Sequence, residues 1–268
     1  MSSTPIAFLD SGIGGLPYFR EAARALPNGS FVYYADTRHF PYGRQSAEEL
    51  VGVAKEAVRA IVRRWRPCMI VVACNTASVV ALETLRASFD LPFVGVVPAV
   101  KPASERTRTG TIGLLATERT VRDPYVSRLI RDFAPHHTVH MIAAGGLVEA
   151  VEAGEFLPDG EIQERYLAES IRSLRQADVD SVVLGCTHFI HVRPQIERLL
   201  GPGISVVDSV DGVIRQVTRL AAEHLCGTRA TGERPQLVCS GPVPEAYRVL
   251  SREYRYTVID ESAAENVS

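Results

Sequence analysis

The sequence predicts an α/β protein of two similar domains, each a mainly parallel sheet flanked by helices. Short runs rich in Val, Ile and Leu alternate with stretches whose apolar residues recur every three or four positions, the pattern of parallel strands joined by helices. A chain of 268 residues, 46% hydrophobic and 22% charged, can fill one large core or two modest ones, and two are expected. The expected strands cover residues 6–9, 31–34, 69–73, 93–97, 111–115, 139–142, 181–184 and 205–207, with weaker ones at 236–239 and 256–259. Between them, Leu50, Ala54, Ala57, Val58, Ile61 and Trp65 share one helical face, as do Ile162, Tyr166, Ser170, Ile171 and Leu174, and both stripes are expected to be core.

Residues 98–110 break this alternation with two prolines, several charges and a closing glycine, the composition of an interdomain crossing. A second crossing is expected near Asp208, after which a helix over 213–225 and the weak strands return the chain to the first half. The expected domains are residues 1–98 with 209–268, and residues 99–208.

Composition narrows the function classes. A formal net charge of −2 gives no field to gather nucleic acid or an anionic membrane surface, although every basic residue except Lys55 and Lys101 is arginine. The longest apolar runs fall well short of the roughly 20 residues that span a bilayer. The polar amino end carries no basic segment followed by a long hydrophobic stretch, so no signal peptide is expected. Five cysteines, an odd number with no CxxC pair, point to reduced thiols and a cytoplasmic location.

The chain contains a short internal echo. MIVVACNT at 69–76 aligns with SVVLGCTH at 181–188, a constant offset of 112 residues that superimposes a buried strand, a small residue and a cysteine. Upstream of each lies another apolar strand ending in a polar turn, FLDSG at 8–12 and LLATERT at 114–120. A duplicated half implies two equivalent strand ends facing a shared interdomain cleft, where open α/β sheets place their ligands.

Cys74 follows a strand and precedes Asn75, Thr76, Ala77 and Ser78, which suit a helix start; Cys186 has the same setting before Thr187 and His188. Backbone N–H groups and the helix dipole there favour thiolate, lowering a thiol from its usual value of about 8.5. The default role of a strand cysteine is a small buried hydrophobe, and Cys68, Cys226 and Cys239 are read that way. A single Cys186/His188 pair with Asn75 as oxyanion donor would describe a thiol hydrolase. Two equivalent thiols describe a different reaction: one removes a proton from a stereocentre while the other supplies one to the opposite face, which is a two-base racemisation. Asn75, Thr76 and Thr187 are placed to stabilise the developing negative charge. A binding module that merely holds an amino acid is the noncatalytic alternative.

Other motifs are weaker. Asp10-Ser11-Gly12-Ile13-Gly14-Gly15 could cradle a phosphate or carboxylate on its backbone, but matches neither dinucleotide nor Lys-Ser/Thr phosphate loops. PYGR at 41–44 reads as a turn after a polar segment containing Asp36 and His39. His136, His137 and His140 lack a carboxylate at ligand-like spacing and read as solvated, so no metal is expected. Neither Lys55, on a helix flank, nor Lys101, in the expected crossing, suits a pyridoxal phosphate aldimine, so no cofactor is expected. Glu149 and Glu152 read as surface charge, with an acid partner in the cleft as the alternative.

Taken in order, FLDSGIGGL (8–16), YYADTRHFPYGRQS (33–46), VVACNTAS (71–78), LLATERTV (114–121) and LGCTH (184–188) resemble the successive signatures of the glutamate racemases, cofactor-independent members of the aspartate/glutamate racemase superfamily. The resemblance covers nearly the whole chain. It implies two similar α/β domains with the active site between them, and paired cysteine catalysis. Cys74 would deprotonate the D-enantiomer, supported by Asp10; Cys186 would deprotonate the L-enantiomer, supported by His188 and Glu152. Asp10, Ser11, Pro41, Tyr42, Gly43, Asn75, Thr76 and Thr187 would hold the substrate, together with Thr117, Thr120 and His188. The implied role is supply of D-glutamate for bacterial peptidoglycan, in the cytoplasm, by a homodimer. Aspartate racemisation is the nearest rival, since the cysteine pair is common to both. The sequence departs from the family pattern where Phe189-Ile190 stands for Tyr-Pro and where Ala143-Ala144-Gly145-Gly146 replaces a stretch often containing Cys-Pro ahead of Glu152. No long amino-terminal extension of the kind associated with activation by a cell-wall precursor is present, so that regulation is not expected.

Overall fold

A computed structural model describes residues 4–157, 164–224, 226 and 234–261. The chain opens with β1 (Ile6–Asp10), α1 (Leu16–Ala25), β2 (Phe31–Ala35), α2 (Ala47–Trp65), β3 (Met69–Val72), α3 (Asn75–Ser88) and β4 (Phe93–Gly95). It continues through α4 (Val100–Arg106), β5 (Thr111–Ala116), α5 (Glu118–Arg122), α6 (Pro124–Phe133), β6 (Thr138–Ala143), α7 (Gly146–Glu152), α8 (Glu164–Gln176), β7 (Ser181–Leu184), α9 (Arg193–Leu200) and β8 (Ser205–Val207). It closes with α10 (Val210–Glu223), β9 (Gln236–Cys239), α11 (Glu245–Tyr254) and β10 (Thr257–Asp260). Two compact units result, Met1–Val96 with Val210–Ser268, and Val97–Ser209.

The first unit holds a parallel six-stranded sheet in the order β10-β9-β2-β1-β3-β4. Its central strands β1, β2 and β3 are buried at every position, as continuous apolar runs must be when helices cover both faces. The second unit holds a parallel four-stranded sheet in the order β6-β5-β7-β8. That order repeats β2-β1-β3-β4 of the first unit strand for strand. The echo read in the sequence is therefore a repeat of topology, with β3 and β7 in equivalent places.

Local signals account for the helices that frame these sheets. A capping box starts α2: the Glu49 N–H donates to Ser46 Oγ at 3.2 Å and the Ser46 N–H donates to Glu49 Oε2 at 2.9 Å. Its stripe Leu50, Ala54, Ala57, Val58 and Ile61 is buried, with Trp65 packed at the margin. In α8, Ser170, Ile171 and Leu174 are buried and Tyr166 is half-buried; Ile162 lies outside the described residues. Leu225, expected at the end of the returning helix, also lies outside them.

The chain passes between the two units at Val96–Val97, beside the 98–110 segment expected as a crossing, and within that segment Val100 and Ala103 are buried in α4, which packs on α6 and β7. One expectation is corrected: Cys68 and Cys226 are not isolated hydrophobes or reduced thiols but form a disulfide with Cα atoms 5.4 Å apart across a separation of 158 residues. No sequence spacing signals that bond. It arises because the start of β3 and the segment after α10 meet in one unit. Among the described residues no helix is long and apolar enough to cross a membrane.

Closing so long a loop removes unfolded-state entropy worth about 2–5 kcal/mol. Urea unfolding with and without reductant should show the reduced protein less stable by that amount, with Cys68→Ser matching it; equal midpoints would contradict the stabilising role.

Candidate active site

In the first unit, the parallel pairing Leu9 with Val72 sets the carboxyl ends of β1 and β3 side by side. Asp10 ends β1, fully buried, and its Oδ1 accepts from the Gly12 N–H at 3.3 Å and the Ser11 hydroxyl at 3.4 Å. Cys74 follows β3 as the N-cap of α3, its sulfur accepting from the Ala77 N–H at 3.5 Å. That position gives a thiolate both a backbone donor and the favourable end of a helix dipole. Next to it, Asn75 is buried, yet neither its Oδ1 nor its Nδ2 has a hydrogen-bond partner. Leaving such groups unsatisfied costs about 1–3 kcal/mol each, so a buried unpaired amide beside a buried thiol suits a polar ligand.

The 41–44 turn supplies the third part of this unit's cluster. Tyr42 is buried and donates to Asp36 Oδ2 at 2.8 Å; Asp36 also accepts from the Ser240 hydroxyl at 2.8 Å and faces His39 Nδ1 at 2.9 Å. Burial, then the charge and hydrogen bond of Asp36, hold the Tyr42 phenol well above its usual range, and Cys74 and Asp10 add to that effect. Tyr42 thus remains a neutral hydroxyl. Pro41 caps this turn and Gly43 lies within it, half-buried. Thr76 is buried in the first turn of α3.

In the second unit, β7 ends at Leu184 and presents Cys186, Thr187 and His188, all buried. His188 Nδ1 lies 4.0 Å from Cys186 Sγ, and its Nε2 lies 2.9 Å from Glu152 Oε2 at the end of α7. Burial opposes charging His188, but the hydrogen bonds and negative charges of Cys186 and Glu152 outweigh it, raising His188 well above the ordinary histidine value. The His188 ring thus lies charged between a carboxylate and a sulfur. Thr117, at the end of β5, accepts from the Thr120 N–H at 3.2 Å and donates to Thr120 Oγ1 at 3.0 Å. Cys74, Cys186 and Cys239 are free thiols, all buried.

A family model described as Asp/Glu/Hydantoin racemase matches residues 17–217. The chain belongs to the Asp/Glu/hydantoin racemase family. The chain is 42% identical over 219 residues to the glutamate racemase of Sphingopyxis alaskensis, covering 81% of each. Against the Klebsiella pneumoniae glutamate racemase it is 38% identical over 254 residues, covering 94% of this chain and 88% of the relative. The crystal structure of Escherichia coli glutamate racemase with L-glutamate and the activator UDP-MurNAc-Ala superimposes with a TM-score of 0.87 at 33% identity, covering 96% of this chain and 97% of that one.

Within this racemase-family chain, the equivalence of the two cysteines is incomplete. An α-helix follows Cys74, but the residues after Cys186 form a 3-10 segment (Thr187–Val192) without a side-chain cap. A helix start therefore lies at Cys74, while His188 lies beside Cys186. Glu152, read first as surface charge, is buried against His188. The Ala143–Gly146 substitution leaves this contact intact, and Phe189 fills a fully buried position. His136 and His140 are exposed, and no group of three metal-ligating side chains occurs among the described residues. Sequence reasoning missed Ser240, 204 residues from Asp36; only the adjacency of β9 and β2 brings it there.

His188 also makes stability depend on pH. Its folded pKa is raised, so its contribution is complete below the unfolded value of about 6.5 and is lost as pH rises through the folded value. Denaturant unfolding at intervals from about pH 6 to 10 should show the parent losing stability with rising pH, and His188→Gln lacking that loss. Identical profiles would mean the histidine is uncharged.

Proposed function

We propose that this protein interconverts L- and D-glutamate by direct proton transfer between two thiols and the substrate α-carbon, without a cofactor. The observation that carries the reading is the pair of free, buried cysteines at topologically equivalent strand ends, Cys74 after β3 and Cys186 after β7, in a chain of the racemase family. Identity of about 40% to glutamate racemases over some four-fifths of the chain supports glutamate as substrate.

Cys74, as thiolate, takes the α-proton of D-glutamate, and the S–H bond forms as the C–H bond breaks. Cys186, as thiol, delivers its proton to the other face of the carbanion, leaving L-glutamate and a Cys186 thiolate. The reverse reaction begins from that state. Asp10 supports Cys74, and the Glu152–His188 pair supports the charge left on Cys186. Charge building on the substrate carboxylate meets hydroxyl and amide donors from Ser11, Asn75, Thr76 and Thr187, with the 41–43 turn and Thr117 and Thr120 completing the binding groups. Both thiols must reach one α-carbon and stay reduced, a requirement suited to a cytoplasmic enzyme. The Cys68–Cys226 bond uses neither of them. The D-glutamate formed serves peptidoglycan synthesis, and a homodimer is the assembly that the family resemblance implies.

In deuterated water, each enantiomer of glutamate should exchange its α-proton with the parent protein, read by NMR. Cys74→Ala and Cys186→Ala should each lower racemisation, followed by circular dichroism, by at least about 10²–10⁴-fold while remaining folded. Turnover at the parent rate in either variant would refute the mechanism, and preference for aspartate would refute the substrate.

Asn75→Ala should separate binding from folding. Because the amide is unsatisfied in the protein alone, its loss should leave the unfolding midpoint unchanged or higher, yet raise KM for glutamate about tenfold or more. A lower midpoint with unchanged KM would assign Asn75 a purely structural role.

A further inference from the structure

Tyr33 lies in β2, opposite Phe8 of β1, fully buried and packed edge-on against Phe19 with ring centroids 5.4 Å apart. Phenylalanine would fill this apolar place without burying a hydroxyl, which is costly unless satisfied. The Tyr33 hydroxyl is satisfied twice, and by one turn: it donates to the Gly12 carbonyl at 2.7 Å and accepts from the Gly15 N–H at 3.1 Å. That turn leads out of Asp10 and Ser11.

The same hydroxyl borders the other thiol-bearing element. A Cβ on Gly15 would fall 2.6 Å from the Ala73 Cβ, 2.9 Å from the Ala73 carbonyl oxygen and 2.9 Å from the Tyr33 hydroxyl. Gly15 backbone, Tyr33 hydroxyl and the residue before Cys74 therefore meet in close contact. The Ala73 N–H in turn donates to the Leu9 carbonyl at 2.7 Å, next to Asp10.

We propose that Tyr33 is a positioning residue of the racemase, its hydroxyl fixing the Asp10–Ser11 turn against the strand end that carries Cys74. The inference rests on the two-thiol reading above. It states that removing one buried oxygen, which touches no substrate, selectively slows the proton transfer made by Cys74 and leaves the transfer made by Cys186 as it was.

The test is Tyr33→Phe, with p-aminophenylalanine at the same position as the conservative rescue. Y33F should lower kcat/KM about 10- to 100-fold, the scale of a small misplacement at a reacting centre. The discriminating measurement is the primary isotope effect with α-deuterated glutamate in each direction. If the Cys74 step becomes limiting, the effect rises for D-glutamate, whose deuteron Cys74 removes, and falls for L-glutamate, whose deuteron Cys186 removes before Cys74 reprotonates. The p-aminophenylalanine variant restores a donor to Gly12 and should recover part of the loss. Unchanged kcat/KM in Y33F overturns the proposal, as does a loss in which both isotope effects stay at parent values, since that is a general structural effect. Should Y33F fail to fold, the p-aminophenylalanine variant carries the test alone: it accepts poorly from Gly15, and parent kinetics there overturn the proposal. A parent protein that does not racemise glutamate would refute the functional reading itself, an outcome distinct from an active parent with an unaffected Y33F.

Discussion

The parallel contact between β1 and β3 is the interaction on which the first unit's chemistry depends. Its register, with Leu9 beside Val72, brings an acidic residue and a cysteine to adjacent strand ends, where both chains leave the sheet together. The ladder can do this because its strands are apolar up to Asp10 and buried at every position, so a shift in register would disrupt the packing of the whole sheet. Once the register is fixed, Asp10 needs only a local turn and Cys74 only the first turn of α3. Asp36, held by Ser240, then fixes the Tyr42 hydroxyl.

The second unit reuses the same strand order with a different means of stabilising charge. After β3, the chain starts a helix and the cysteine itself serves as the cap. After β7, a short 3-10 segment offers weaker dipole support, and a buried histidine paired with a glutamate stands in its place. Two physically distinct settings thus surround the two thiols. A duplicated scaffold need not carry duplicated electrostatics: a helix start adjoins one sulfur and a buried histidine–glutamate pair adjoins the other.

Much of the framework was legible because it is local. Strand positions follow from short runs of β-branched and aliphatic residues, and all ten expected strands occur within two residues of their anticipated ends. The candidate site was legible in part for the same reason: Cys74 with Asn75, and Cys186 with His188, are neighbours along the chain. What escaped the residue pattern was non-local. Spacing alone left Glu152 as one of two acids on a helix surface, and only the family resemblance set it with His188, which α7 packing brings about; Ser240 had no motif linking it to Asp36. The Cys68–Cys226 bond was obscured by a rule about cysteine number that says nothing of which residues the sheet will bring together. The α4 helix was obscured by its prolines and charges, because its tendency to form comes from burial of two small apolar residues rather than from composition.

The disulfide has a topological consequence. Its two ends lie on either side of the second unit in the chain, so residues 68–226 form a covalent ring that includes that entire unit and both points where the backbone passes between units. A single backbone cut anywhere within the ring opens the circle without releasing a fragment. With one crossing severed, the two chain segments of the host unit stay joined through the disulfide, and a reductant is what separates the resulting fragments.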